Sequence, residues 1–97
     1  MRGRLEIIAD ILSAAREPSI KTDIIYSANL NFEQAGRYIE ECLECGLLEI
    51  KEESSKKYET TGKGYRFLKS IETIGEIINL ERSNLLQKTK TRSAVFQ

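Results

Sequence analysis

A chain of 97 residues with 40% hydrophobic and 31% charged residues suits one small globular domain. No apolar run approaches the roughly 20 residues of a membrane span, so no membrane partner is predicted and a cytoplasmic protein is expected. Fifteen basic residues balance fifteen acidic ones, which argues against strong sequence-independent binding to nucleic acid.

The first helix is predicted from an apolar stripe. Hydrophobic side chains recur at helical spacing from Leu5 to Ala15, which predicts a helix over residues 4–16. Pro18 ends this helix, because proline cannot donate to the helical hydrogen-bonding pattern. Ile20 opens the next segment, where we expect a short extended residue beside a later hairpin.

A short second helix and a turn are predicted next. Thr22 has the side chain of an N-cap, and residues 23–27 follow as the helix. Asn29 is the turn residue best able to adopt a left-handed conformation. Asn31 and Gln34 then resemble a capping box, so a third helix is predicted to begin there. Two helices joined by such a turn form a helix-turn-helix pattern.

The third helix is predicted to end at about Cys45, with Gly46 as its C′ glycine. Its apolar positions follow helical spacing and form the predicted buried stripe, which consists of Ala35, Tyr38, Ile39, Cys42 and Leu43. The outward face is unusually acidic. It carries Glu33, Gln34, Gly36, Arg37, Glu40, Glu41 and Glu44.

A small β-hairpin is predicted after the third helix. Leu48 and Ile50 alternate with charged residues, which is typical of a half-buried strand. Residues 53–56 form the predicted tip, and residues 57–60 form the returning strand with Tyr58 facing inward. A helix pair followed by such a hairpin is the element order of a winged helix-turn-helix domain. The predicted fold class is therefore mainly α (α+β), with the hairpin as the wing.

The fourth helix is predicted to be long. Thr61 caps it, and a run without proline extends to roughly Lys88, about 28 residues or about 42 Å at 1.5 Å per residue. Its apolar residues step in a heptad pattern, which is typical of a coiled coil. The predicted dimer interface consists of Phe67, Ile71, Ile74, Ile78 and Leu85.

This long helix leaves two alternatives open, because it could pair with a second copy or fold back on its own domain. We favour a homodimer, since a large exposed apolar seam is a liability and a small core gains from self-association. Gly75 within the seam would permit a close approach. The predicted organisation is a winged helix-turn-helix domain over residues 1–68, an overlapping C-terminal coiled-coil dimerisation helix over residues 61–88, and a flexible tail over residues 89–97.

DNA recognition is the function that the helix-turn-helix pattern favours, because the N-terminal part of its second helix meets base edges. Asparagine and glutamine can bond adenine, arginine can bond guanine, and glutamate can accept from the cytosine amino group. Hydroxyl side chains hold phosphates, and lysines on a wing suit the DNA backbone. The candidate residues in these roles are Asn31, Glu33, Gln34 and Arg37 for bases, Thr22 for phosphates, and Lys56 and Lys57 for the wing.

Four of these candidates also have an ordinary structural explanation. Gln34 could merely close the capping box. Arg37 could pair with Glu33 or Glu41 on the same helix face. The two wing lysines could simply solubilise a turn. The acids farther along the third helix would repel phosphates, and they are the main argument against strong DNA binding.

Catalysis and metal binding are poorly supported. Cys42 and Cys45 form a C-x-x-C pair, but the sequence has no histidine and no third cysteine to complete a usual zinc site. The pair also lies in a predicted helix, so we expect buried or half-buried helix cysteines, with a four-cysteine site shared across a dimer as the alternative. Residues 61–64 lack the spacing of a phosphate loop, and their glycines are expected to pack closely against the hairpin. No enzyme, cofactor, metal or small-molecule ligand is predicted.

Several short stretches together resemble the small archaeal winged-helix proteins. They are Lys21-Thr22-x-Ile24-Ile25-Tyr26-x-Ala28-Asn29-Leu30, Gly36-Arg37-Tyr38-Ile39, Gly46-Leu47-Leu48 and Tyr58-x-x-Thr61-x-Lys63-Gly64-x-x-Phe67-Leu68. More closely, the chain resembles the dimeric, chromatin-associated or transcriptional-regulator type, over about residues 4–88. The resemblance implies a symmetric dimer on double-stranded DNA, joined by an antiparallel coiled coil. It places Gln34 and Arg37 on the DNA face and Lys56 and Lys57 on the wing.

The chain departs from this group at Glu40, Glu41 and Glu44, where such proteins tend to be more basic. The departures favour a sequence-specific regulator over a chromatin coat protein, or a member that has lost DNA binding. The sequence therefore predicts a homodimeric, nucleoid-associated DNA-binding protein and transcriptional regulator. The alternative is a winged-helix protein–protein interaction module that does not bind DNA and whose acidic helix docks a basic partner.

Overall fold

The computed structural model describes residues 3–92, and it describes side chains for residues 3–79. The elements in chain order are α1 (Arg4–Ala14), β1 (Ser19–Ile20), α2 (Lys21–Ala28), α3 (Phe32–Glu44), β2 (Leu48–Glu52), β3 (Lys57–Thr60) and α4 (Gly62–Arg92). The order of a helix pair, a hairpin and a long final helix confirms the predicted winged helix-turn-helix fold class.

The sheet has three antiparallel strands, with β3 in the centre between β1 and β2. Ile20 pairs with Lys57, which confirms the short extended segment expected there. A bulge lies in β2 between Ile50 and Glu52. Lys56, in the turn that precedes β3, has a φ of 51°, which is the left-handed conformation that tight turns use.

The core lies where α1, α2 and α3 meet the sheet. The side chains that are buried most completely come from all three helices and are Ile11, Leu12, Ile24 and Cys42. The predicted buried stripe of α3 is confirmed in its centre, because Ala35, Ile39 and Cys42 are buried, while Tyr38 and Leu43 are half-buried against the same core.

Thr60 fixes the end of β3 against α1. Its hydroxyl donates a buried hydrogen bond of 2.7 Å to the carbonyl oxygen of Leu12. Its backbone N–H donates to the carbonyl oxygen of Ala15 at 2.9 Å. Because both hydrogen-bond donors of Thr60 find partners, this residue can be buried in the core at little cost.

Two side chains connect the end of α3 to the start of α4. Thr61 Oγ1 accepts from the N–H of Gly64 at 3.1 Å, which confirms it as the cap of α4. The same hydroxyl donates to the carbonyl oxygen of Gly46 at 2.6 Å. Lys63 Nζ donates to the carbonyl oxygen of Cys45 at 2.7 Å. These bonds satisfy carbonyls that the end of α3 leaves without a helical partner.

Gly64 is required where α4 meets the hairpin. A Cβ at this position would overlap the carbonyl oxygen of Leu47 and the methyl group of Thr60. This confirms the expected close packing for Gly64. It does not hold for Gly62, since no non-neighbouring atom in the described part of the chain comes within 4 Å of its Cβ position.

The predicted seam of α4 divides into two parts. Phe67 packs, half-buried, against the core of its own domain, and Ile71 is also half-buried. Farther along, Ile74 and Ile78 are about half exposed, at 51% and 49%. The side chain of Leu85 lies outside the described residues. The helix continues past its predicted end to Arg92, and the rest of the predicted tail also lies outside the described residues.

Candidate nucleic-acid interface

The helix-turn-helix is formed by α2, a short turn and α3. Asn29 has φ 56° and ψ 55°, which confirms the predicted left-handed turn residue. The prediction that Thr22 is the N-cap of α2 is wrong. Ile20 is the N-cap, because it is held extended by its pairing with Lys57 and the helix begins directly after it. Thr22 therefore lies inside the first turn of α2, with an exposed side chain.

Asn31 sets the start of α3. Its side-chain oxygen accepts from the backbone N–H of Gln34 at 2.7 Å, which confirms it as the N-cap. The side chain of Gln34 is half-buried. Both candidate base-reading amides are thus placed at the first turn of α3, and the oxygen of Asn31 is already used in the helix cap.

The centre of the outward face of α3 carries Arg37 among carboxylates. At about 100° per residue, Arg37, Glu33, Glu40 and Glu44 fall in one narrow sector of the helix. These side chains belong to a shallow surface groove lined by Phe32, Glu33, Gly36, Arg37, Glu40, Glu41 and Glu44. In the part of the chain that the structure describes, Arg37 takes part in no ion pair. Its expected alternative pairing with Glu33 or Glu41 is therefore not found there.

Two cations from neighbouring helices flank this acidic sector. Arg4 of α1 forms an ion pair with Glu41 on one side. Lys21 of α2 lies on the other side, with its Nζ 3.6 Å from the Cβ position of Gly36. Neither cation could be assigned to this surface from the sequence. The packing of α1 and α2 against α3 places them there, and no local sequence pattern predicts that packing.

The two wing lysines occupy different positions. Lys56 is at the exposed turn, as predicted for the tip. Lys57 is already the first residue of β3 and is half-buried, so it does not lie at the tip. Its Nζ is 3.6 Å from a carboxylate oxygen of Glu52. Both side chains are about half exposed, so this ion pair contributes little to stability.

Two large aromatic side chains are exposed on either side of the turn. Tyr26 of α2 is 77% exposed, and Phe32 at the first residue of α3 is 63% exposed. The sequence patterns predict neither residue as part of a site. The feature that distinguishes Phe32 is its position outside the apolar stripe of α3, whose other aromatic residue, Tyr38, contacts the core.

The cysteine pair is divided between core and surface. Cys42 is buried and Cys45 is exposed, and both are free thiols. The expectation of two buried or half-buried cysteines is therefore wrong for Cys45, which lies at the C-cap beyond the buried stripe. Burial raises the pKa of the Cys42 thiol to about 12, and the nearby Cys45 adds to the effect. Among the described residues, no group of three or more His, Cys, Asp or Glu side chains could hold a metal ion.

The described helices include none that is both long and apolar enough to cross a membrane.

Known proteins resemble this chain in sequence and in structure. The model of a family described as winged helix-turn-helix matches residues 1–79. An uncharacterized protein of Methanocaldococcus jannaschii is 33% identical over 79 residues, covering 80% of this chain and 78% of that protein. The crystal structure of Sso10a-2, a DNA-binding protein from Sulfolobus solfataricus, matches with a TM-score of 0.75 and 32% identity, over 99% of both chains. The likeness therefore extends beyond the winged-helix domain into the long final helix.

Proposed function

The chain belongs to the winged helix-turn-helix family, and from this premise we propose that it binds double-stranded DNA as a non-enzymatic transcriptional regulator. The observation that carries the proposal is the position of Arg37. Its side chain is exposed on the outward face of α3 and makes no ion pair with a described residue. Arginine in this position can bond both acceptors of a guanine edge.

We infer that α3 enters the major groove with its N-terminal half, as the second helix of such motifs does. Lys21 and Thr22 of α2 then lie beside the groove, where a phosphate can accept from the ammonium or the hydroxyl group. Lys56 at the exposed turn contacts the backbone farther along the duplex. Gln34 and Asn31 at the first turn of α3 are the remaining candidates for base contacts.

The flanking cations reduce the electrostatic objection to DNA binding. Arg4 pairs with Glu41, so the charge of that carboxylate is offset within the protein. Lys21 and Arg37 add two cations to the same surface, where three carboxylates remain. The surface is still slightly acidic. Non-specific attraction to phosphates is therefore weak, and this favours a sequence-specific regulator over a protein that coats DNA.

We further propose that two copies pair through α4. Ile74, Ile77 and Ile78 are each about half exposed on this helix. Covering them would remove apolar surface from water, which favours association. An antiparallel coiled coil, extended toward Leu85, would present two α3 helices to one duplex in the nucleoid.

Titration of binding to duplex DNA against salt tests the function. The Kd of the wild-type protein should rise steeply with salt concentration, because bound phosphates release counterions. Arg37→Ala should weaken binding by about 1–3 kcal/mol if the side chain reads a base. Arg16→Ala is the matched control, since Arg16 borders the groove between α1 and α4 and should leave the Kd unchanged.

A lack of binding to any duplex at low salt would overturn the proposal. It would favour a protein–protein interaction module, in which the sector containing Glu33, Glu40 and Glu44 docks a basic partner. An equal loss in Arg37→Ala and Arg16→Ala would also count against α3 as the reading helix, because it would indicate only a general effect of positive charge.

A further inference from the structure

Phe32 is placed at the leading end of the reading helix. It is the first residue of α3 and directly follows the Asn31 cap, whose hydrogen bond to Gln34 fixes the first helical turn. In helix-turn-helix docking, this end of the helix comes nearest to the base edges. The helix cap therefore fixes the backbone of Phe32, and in this docking mode Phe32 lies at the end of α3 that is nearest to the bases.

The ring of Phe32 is not needed to complete the core. It remains 63% exposed, whereas Tyr38, the other aromatic residue of α3, packs half-buried against the core. A single exposed apolar residue needs no special explanation by itself. The neighbours of Phe32 give it significance here, because it lines the same shallow groove as Gly36 and Arg37.

The groove is lined by Phe32, Gly36 and Arg37 together with the four glutamates of α3. A second cation, Lys21 of α2, lies over Gly36, one helical turn from Phe32. A cationic group can bond phosphate or guanine, but the ring requires an apolar partner. The major groove of DNA offers an apolar group at one base only, the C5-methyl group of thymine.

We propose that Phe32 contacts the C5-methyl group of a thymine in the major groove, so that the preferred half-site contains thymine as well as the base read by Arg37. This inference rests on the proposed DNA binding. Because Phe32 is apolar and carries no charge, its contribution is to specificity and is separate from the salt-dependent attraction of the lysines and arginines.

Replacement of thymine by deoxyuridine isolates the methyl group, since the two bases pair identically. Duplexes bound by the wild-type protein are first selected from a random-sequence pool, and the selected duplex is then synthesised with deoxyuridine at each thymine in turn. At one position in each half-site the wild-type affinity should fall about four-fold, the equivalent of about 0.8 kcal/mol for one buried carbon group. Phe32→Ala should bind the two duplexes equally, and Phe32→Leu should keep part of the difference.

Tyr26→Ala is the matched control, because Tyr26 is also an exposed aromatic residue but belongs to α2. It should keep the full wild-type preference for thymine at that position. Circular dichroism of each variant checks that the helices are retained, which we expect because neither ring is part of the core.

Three results would overturn the inference while leaving DNA binding intact: a selected duplex without thymine, wild-type affinities that are equal for thymine and deoxyuridine at every position, or a Phe32→Ala variant that retains the wild-type preference. If the wild-type protein binds no duplex at low salt, both this inference and the proposed function fail. These outcomes separate the contribution of the ring from the binding of DNA itself.

Discussion

The chain contains two regions that use apolar residues differently. In the body, residues 3–71, side chains such as Ile11 and Leu12 are fully buried among helices and strands of the same chain. In the segment that follows, residues 72–92, which we call the projecting segment, Ile74, Ile77 and Ile78 are about half exposed. Both regions show apolar residues at helical spacing. Such spacing predicts which face of a helix is apolar. It does not predict whether that face packs against the same chain or against a second copy.

The largest expected effect is a difference in unfolding free energy between a truncated side chain in the body and one in the projecting segment. Leu12→Ala should lower the free energy of unfolding by about 2–5 kcal/mol, because it opens a cavity in the body. Ile77→Ala removes a similar side chain from the projecting segment and should leave the unfolding of the body nearly unchanged. Urea denaturation followed by circular dichroism measures both. A comparable loss in the two variants would show that the body depends on a covered α4.

A charge placed on the projecting segment tests whether a second copy covers it. Ile74→Asp should raise the Kd of the proposed dimer roughly 100-fold, since burying an unpaired carboxylate costs several kcal/mol. Asn79→Asp is the matched control, because Asn79 is exposed and lies about 100° or more around α4 from Ile74, Ile77 and Ile78. Analytical ultracentrifugation over a range of concentrations reads out both. A wild-type monomer, or an assembly that tolerates Ile74→Asp, would contradict pairing through the seam.

A glycine-to-alanine substitution should change stability in opposite directions in the two regions. Gly64→Ala should destabilise the body by about 1–3 kcal/mol, because its Cβ would overlap Leu47 and Thr60. Gly75→Ala meets no described atom within 4 Å beyond its own helix and chain neighbours, so it should stabilise α4 by about 1 kcal/mol. Thermal unfolding of the two variants gives the comparison.

A destabilising Gly75→Ala would be informative in a different way. It would mean that another chain approaches the backbone of α4 at this residue, which only an assembled form provides. Measurement at low protein concentration distinguishes the cases, because the intrinsic gain in helix stability does not depend on concentration.

The smallest effect is a difference in thiol reactivity within the body. Cys45 should react rapidly with iodoacetamide in the folded protein, because it is exposed. Cys42 should react slowly, since burial limits access and raises its pKa to about 12, leaving little thiolate at mildly alkaline pH. Mass spectrometry after timed quenching measures the two rates. If Ile74→Asp speeds up the reaction of Cys42, opening of the body is linked to the state of α4.

The features that could be predicted from the sequence are those with a local cause. The left-handed Asn29, the Asn31 cap and the Thr61 cap each depend on a residue and its neighbours within one turn of chain. The strands of the hairpin were predicted for the same reason, because alternation within a short segment indicates a half-buried strand.

The features that could not be predicted depend on residues far apart in the sequence. Ile20 replaces Thr22 as the N-cap of α2 because β1 pairs with β3, which lies beyond the third helix. The cations beside α3 come from Arg4 and Lys21, on two other helices. Helix packing places them there, so the charge of α3 alone overstated how acidic its surface is.

The junction between α3 and α4 has a mechanical consequence. Because the bonds from Thr61 and Lys63 hold the start of α4 to Cys45 and Gly46, the residues that directly follow α3, we expect the two helices to move together. One residue inserted into the projecting segment would advance a paired copy by about 1.5 Å and rotate it by about 100°. In the proposed dimer, the length of α4 would therefore set the distance and the angle between the two α3 helices. This spacing would determine which turns of the duplex both helices can contact at the same time.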